Sequence, residues 1–204
     1  MSRASEIGLA LFILAASAWP ATAAEWSYGA SAFVFDPPND DAFLSPILEA
    51  DRGVLHFEGR YNYEDQETGS VFAGRIFRFG EKVEWTVVPI MGLVLGRTDG
   101  VAPGVKLDVG WQKLTLSTES EAVIDFEDAG ASFVYTWLEG TIAASDWLSL
   151  GLVGQRTKTY ETGLEFQRGP MVQASRGPGW LAFYWFNLDR PDDETFVFAG
   201  GWEF

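Results

Sequence analysis

The sequence predicts a closed, antiparallel transmembrane β-barrel of about 12 strands, and three observations carry that expectation. Short segments alternating between apolar and polar residues recur along the chain, separated by turn residues. The opening MSRASEIGLALFILAASAWPATAAEW has the layout of an export signal. The closing TFVFAGGWEF places Phe196, Phe198, Gly200, Trp202 and Phe204 on one face of a strand. Val197, Ala199, Gly201 and Glu203 fall on the other face. Chain ends are normally frayed and solvated, so an aromatic last residue implies a terminus held inside structure.

At the start of the chain, Arg3 precedes an apolar run from Ile7 to Ala18, followed by Pro20 and the small pair Ala21 and Ala23 in an A-x-A arrangement. This predicts a cleaved signal peptide over residues 1–24 and one barrel domain over 25–204. The apolar run is too short for a spanning helix, which needs about 20 apolar residues. No later stretch is long and apolar enough either, so any membrane residence must be through strands. The chain has no cysteine, and disulfides cannot hold an exported fold together here. Its net charge of −15 argues against nucleic acid, which requires basic patches.

Strands are predicted at 26–35, 42–50, 54–63, 70–78, 83–96, 104–111, 113–126, 131–143, 147–158, 162–174, 179–188 and 195–204. The second segment, AFLSPILEA, alternates poorly. Leaving it out would give an odd number, whereas single-chain bacterial barrels have an even one; Gly53 behind it also suits a tight turn. Ten strands remain the alternative, with the first pair outside the barrel. The third segment, VLHFEGRYNY, is the clearest: Leu55, Phe57, Gly59, Tyr61 and Tyr63 oppose His56, Glu58, Arg60 and Asn62. In the sixth, Val105, Leu107, Val109 and Trp111 oppose Lys106 and Asp108. In the seventh, Leu114, Leu116, Ala122 and Ile124 oppose Glu119, Glu121 and Asp125. In the eighth, Val134, Leu138 and Ile142 oppose Tyr135, Trp137 and Glu139. One apolar and one charged face is the pattern of a strand between lipid and a polar lumen. Trp26, Tyr63, Trp85, Trp111, Trp147 and Trp202 near strand ends suit interfacial girdles. Pro89 and Pro170 lie within predicted strands, each without a ladder donor, and are expected to mark bulges.

The terminal strand resembles the β-signal of Gram-negative outer-membrane proteins, with Phe196, Phe198, Trp202 and Phe204 in the matching positions. The resemblance implies residence in the bacterial outer membrane, insertion by the barrel-assembly machinery, and contact with membrane lipids and lipopolysaccharide. With both termini periplasmic, the outward connections are DPPNDD, YEDQETG, GRTDGVAPG, DFEDAG, RTKTYET and DRPDDE. The opposite connections are close to neutral. An acidic outer rim would attract cations, and divalent ions there could bridge to lipopolysaccharide phosphates.

By alternation, His56, Glu58, Arg60, Arg75, Glu84, Lys106, Asp108, Glu119, Glu121, Asp125, Glu139, Glu165 and Glu203 face the lumen. Arg78, Arg156 and Arg168 would strictly face lipid, which only a bulge or a rim position would relieve. No catalytic motif is present, no cofactor is implied, and neither STESE nor DFED has the spacing of a calcium loop. The single histidine, His56, reads as a satisfied lumen residue and not as a catalytic base. Two readings follow from a charged interior: a narrow passive channel favouring small cationic or neutral solutes, or a closed barrel locked by salt bridges. An outer-membrane enzyme is the third.

Overall fold

The structure is a computed structural model that describes residues 24–38, 41–159 and 164–204. The predicted signal peptide lies outside the described residues apart from Ala24. Among the described residues there are thirteen strands: β1 Trp26–Asp36, β2 Phe43–Arg52, β3 Leu55–Tyr61, β4 Thr68–Arg75, β5 Phe77–Phe79, β6 Glu84–Gly96 and β7 Gly100–Trp111, followed by β8 Leu114–Asp125, β9 Phe133–Ala143, β10 Leu148–Thr159, β11 Leu164–Arg176, β12 Gly179–Phe186 and β13 Thr195–Glu203. Each pairs antiparallel with its neighbours, β1 pairs with β13, and β4 pairs with β6. The sheet therefore closes on itself, as a hydrocarbon medium requires of spanning strands.

β4 and β5 are one strand with a local gap. Gly74 faces Ile90 and Phe77 faces Val87, so the register runs on unbroken. The gap falls opposite Pro89, which has no N–H to donate, while Ile76 still donates to Val54 O at 2.8 Å on the other side. Counted this way the barrel has 12 strands, and AFLSPILEA is a full member of it. Pro170 behaves in the same way. The β11–β12 ladder stops at Met171 opposite Tyr184, and the same register resumes where Asn187 N donates to Arg168 O at 2.8 Å. The expected bulges are thus gaps, because losing a donor does not require an inserted residue.

Two-residue turns join strands at one end of the barrel, where Gly53 and Gly177 take φ values of 63° and 59°. A side chain would strain both positions. The described chain termini lie at this turn end, where Phe204 and Tyr28 exchange backbone hydrogen bonds of 2.8 and 2.9 Å. Longer connections form the loop end, where YEDQETG, GRTDGVAPG, DFEDAG and DRPDDE fall, as parity requires; parts of DPPNDD and RTKTYET lie outside the described residues.

The outer surface is apolar. Leu48, Leu95, Leu152 and Leu181 are each more than 60% exposed, an arrangement suited to lipid. Phe198, Trp202 and Phe204 share this face, while Val197 and Ala199 behind them are buried. The small inward side of β13 leaves room for Tyr184, Phe186, Trp137 and Val153 to pack. A second apolar cluster, formed by Phe72, Ile76, Val88, Ile90, Val94, Ala102 and Val123, fills the lumen beside β4–β8. The interior is therefore more apolar than a two-faced pattern implies.

Candidate functional site in the barrel lumen

Alternation along β3 turns His56, Glu58 and Arg60 inward together. Arg60 is the centre of the network, with its side chain 0% exposed. Its guanidinium donates from Nε to Glu58 Oε1 at 2.9 Å, and from Nη1 to Glu64 Oε1 at 3.3 Å and Glu121 Oε2 at 3.2 Å. Glu119 Oε1 lies 2.7 Å from Nη1. The cation also sits over the Phe72 and Tyr63 rings, 4.2 and 4.4 Å from their centroids. Four carboxylates and two π-faces replace its lost hydration, which is what a buried charge needs.

A second node lies alongside. Lys106 Nζ donates to Glu49 Oε1 at 2.5 Å and to Glu58 Oε2 at 3.1 Å. His56 places Nδ1 2.7 Å from Asp51 Oδ1 and Nε2 3.2 Å from Glu58 Oε2. Neither ring nitrogen is turned towards a hydroxyl, so His56 is engaged as a lumen residue and lacks the geometry of a base beside a nucleophile. Glu49, His56 and Glu58 bring ligand atoms within 4.8 Å of one another. The Lys106 ammonium is already bonded to both carboxylates, and it occupies the role that a metal would fill.

Six carboxylates (Glu49, Asp51, Glu58, Glu64, Glu119 and Glu121) thus share Arg60, Lys106 and His56. In the loop after β3, burial pushes Glu64 above the usual carboxylate range despite Arg60 and a Ser70 hydroxyl bond of 2.8 Å. Its neighbour Asp65 goes the other way. Burial alone would raise it, but Arg97, the Thr98 hydroxyl and the Gln66 amide together hold it low. Arg97 reaches Asp65 with two nitrogens, tying the β3–β4 loop to the β6–β7 connection.

Below Arg60, towards the turn end, the lumen holds a cavity of about 220 Å³. Phe33, Phe35, Ile47 and Trp137 form an apolar wall. Glu49, Glu58, Asp108, Glu119 and Glu139 supply acids to the same lining, with Lys106 the one base in it among the described residues. Trp137 Nε1 donates to Glu139 Oε1 at 2.7 Å.

The predicted inward positions divide as follows. His56, Glu58, Arg60, Lys106, Glu119 and Glu121 converge in the network, while Asp108 and Glu139 line the cavity. Glu84 and Glu203 share the inward side at the turn end with Gly110 and Gly29 opposite them, and Asp125 shares it at the loop end with Gly100. The side chain of Glu165 lies outside the described residues. Arg75 is corrected: it faces Leu55 across the ladder and stacks on Phe77 at 5.3 Å, which puts it on the outer face. Arg78 is inward, opposite Thr86. Arg156 and Arg168 are on the outer face near the loop end, where Arg168 Nη2 donates to Asp189 Oδ2 at 3.0 Å. Tyr63 is also corrected; it belongs to no outer girdle but turns inward against Tyr135, 5.8 Å away.

Glu49, Asp51, Glu64 and Tyr63 complete the site without having been singled out as inward from the sequence. The alternation Ser45, Ile47, Glu49, Asp51 along β2 carries the signal for the first two. Glu64 and Tyr63 sit in a loop, where no period exists to read.

No known family matches the chain, and no curated protein matches it in sequence. Its fold is similar to that of a solved KdgM porin, with a TM-score of 0.60 at 9% identity, covering 86% of this chain and 99% of that one. The chain has the closed antiparallel barrel fold of that porin. A second structure, a KdgM porin in complex with disordered oligogalacturonate, matches this barrel with a TM-score of 0.61 at 9% identity and the same coverage. At that identity the likeness is one of fold alone.

Proposed function

We propose that this barrel is a narrow passive channel for small cationic or neutral solutes. The observation that carries the reading is the lining of the lumen cavity, where Glu49, Asp108, Glu119 and Glu139 outnumber Lys106. A low-dielectric passage lined by one sign of charge favours counter-charged solutes and repels its own sign. Oligogalacturonate, which accompanies one of the similar porins, is a polyanion; the acidic lining here argues against carrying that cargo over. The acidic loop end acts in the same sense by concentrating cations at the entrance, and divalent ions held there could bridge to lipopolysaccharide phosphates. Phe196, Phe198, Trp202 and Phe204 serve the assembly machinery as its recognition strand.

Planar-bilayer recording under a KCl gradient tests the channel. A reversal potential of the cation-selective sign is expected, and Glu139→Lys should move it towards the anion side. An anion-selective wild type would overturn the reading.

One observation favours a second reading. Arg60 is fully enclosed, and Val94, Val123, Phe186 and Val197 pack the loop half of the lumen with no exposed surface. A barrel shut in this way would serve as a structural or surface-interaction protein of the envelope. Repeated silence of correctly folded protein in bilayers is the result that favours it.

A further inference from the structure

The cavity lining is of two chemical kinds, aromatic and acidic, and both point to one class of ligand. Phe33 and Phe35, from β1, are half-buried, so part of each ring remains free towards the cavity. Phe33 is held edge-on to Trp137, with centroids 6.2 Å apart, and Phe35 is stacked on Phe43 at 4.9 Å. Ile47 extends this surface. The result is a preformed apolar patch, and water would gain little by remaining on it.

The acidic part of the lining includes two carboxylates that no protein cation pairs among the described residues. Lys106 is engaged by Glu49 and Glu58, and Arg60 takes Glu119 and Glu121 on the loop side. Neither cation reaches Asp108 or Glu139. Asp108 is exposed and has no hydrogen-bond or ion-pair partner among the described residues, and it shares the inward side with Glu139, each lying opposite Ser117 of β8. Glu139 is oriented by the Trp137 indole N–H at 2.7 Å, which fixes a carboxylate next to the aromatic surface. An inorganic cation would neutralise the acids but leave the apolar wall wet. A neutral hydrocarbon would do the reverse.

We propose that this cavity is a binding site for an organic cation, an ammonium or guanidinium group carried on a flat apolar body. The charged group sits between Asp108 and Glu139, and the body lies on Phe33, Phe35 and the Trp137 edge. The volume equals that of about seven waters at roughly 30 Å³ each, enough for a single-ring amine. The carboxylates compensate the desolvated charge, and the rings contribute both dispersion and cation–π attraction. This inference takes from the channel reading only its route of entry; the site itself is independent of conduction.

Titration calorimetry on the refolded, detergent-solubilised protein tests the site directly. Benzylammonium is the probe, with methylammonium, benzyl alcohol and benzoate as comparators. Benzylammonium should bind one to one, at least about tenfold more tightly than methylammonium or benzyl alcohol, and benzoate should not compete. Asp108→Asn should weaken it about tenfold, and Phe35→Leu should bring it close to methylammonium. Asp192→Asn, on the distant loop end, should leave it unchanged. Folding of each variant is checked by its resistance to SDS before heating. Equal binding of benzyl alcohol and benzylammonium, or unaltered binding in folded Asp108→Asn, would overturn the proposal. Cation-selective current without benzylammonium binding overturns the site and leaves the channel. Binding without any current supports the site and removes the channel.

Discussion

Replacing Arg60 with Met tests whether the lumen is organised around one enclosed cation. The side chain is 0% exposed, and its guanidinium lies 2.7–3.3 Å from carboxylate oxygens of Glu58, Glu64, Glu119 and Glu121. Met approximates its length and can keep the contacts with Phe72 and Tyr63 that the guanidinium now makes at 4.2 and 4.4 Å. The packing loss is therefore small, and the electrostatic loss dominates. Breaking a buried pair by removing one partner costs about 3–5 kcal/mol, because the remaining charge is left uncompensated. Four carboxylates remain here, so the upper part of that range is expected at pH 8. Acid should relieve the cost, since protonation removes the charge that Arg60 had balanced. The assay is reversible urea unfolding of the detergent- or lipid-folded protein, followed by tryptophan emission at pH 8 and pH 4.5. If R60M unfolded within about 0.5 kcal/mol of the wild type at pH 8, a range typical of surface substitutions, the carboxylates would not depend on Arg60. The account of the lumen would then fail.

Three further outcomes are expected. Leu152→Arg, at a position 69% exposed on the outer face in the middle of β10, should cost about 2–4 kcal/mol in a bilayer, whereas in a water-soluble protein it would be nearly silent; unfolding in lipid vesicles measures it. Gly169→Ala should prevent correct closure, because a Cβ there would lie 1.7 Å from Trp185 O; loss of the SDS-resistant band after refolding reports it. The β3–β4 loop should show opposed pH effects in paired urea titrations. Glu64 is raised by burial, so its ionisation costs stability as pH climbs past the ordinary carboxylate range, and Glu64→Gln should stabilise there and change little in acid. Asp65 is lowered, so its contribution is present above that range and disappears as pH falls through its folded value. Asp65→Asn should therefore destabilise near neutral pH, by about 0–1 kcal/mol given the exposure of Arg97, and be neutral in strong acid.

Period and parity determined a good deal of this protein before any coordinates. Alternation in VLHFEGRY put His56, Glu58 and Arg60 on one face, and the even-strand rule admitted the weakly patterned AFLSPILEA to the barrel. Both succeed because the pleat imposes a period of two on every strand, whatever its tertiary setting. Arg75 and Arg78 show the limit, since alternation put Arg75 inward and Arg78 towards lipid, and the structure inverts both. Register opposite Leu55 and Thr86, set by the partner strands, resolved which was which. The convergence of Glu64, Glu119 and Glu121 on Arg60 was settled only by closure. These groups come from a loop and two strands up to 61 residues apart, and no local pattern encodes the distance across a lumen. The same holds for the cavity. Alternation named Asp108 and Glu139 as inward, but only the closed barrel, by committing Lys106 and Arg60 to other acids, left these two without a cation and set Phe33 and Phe35 in the same lining.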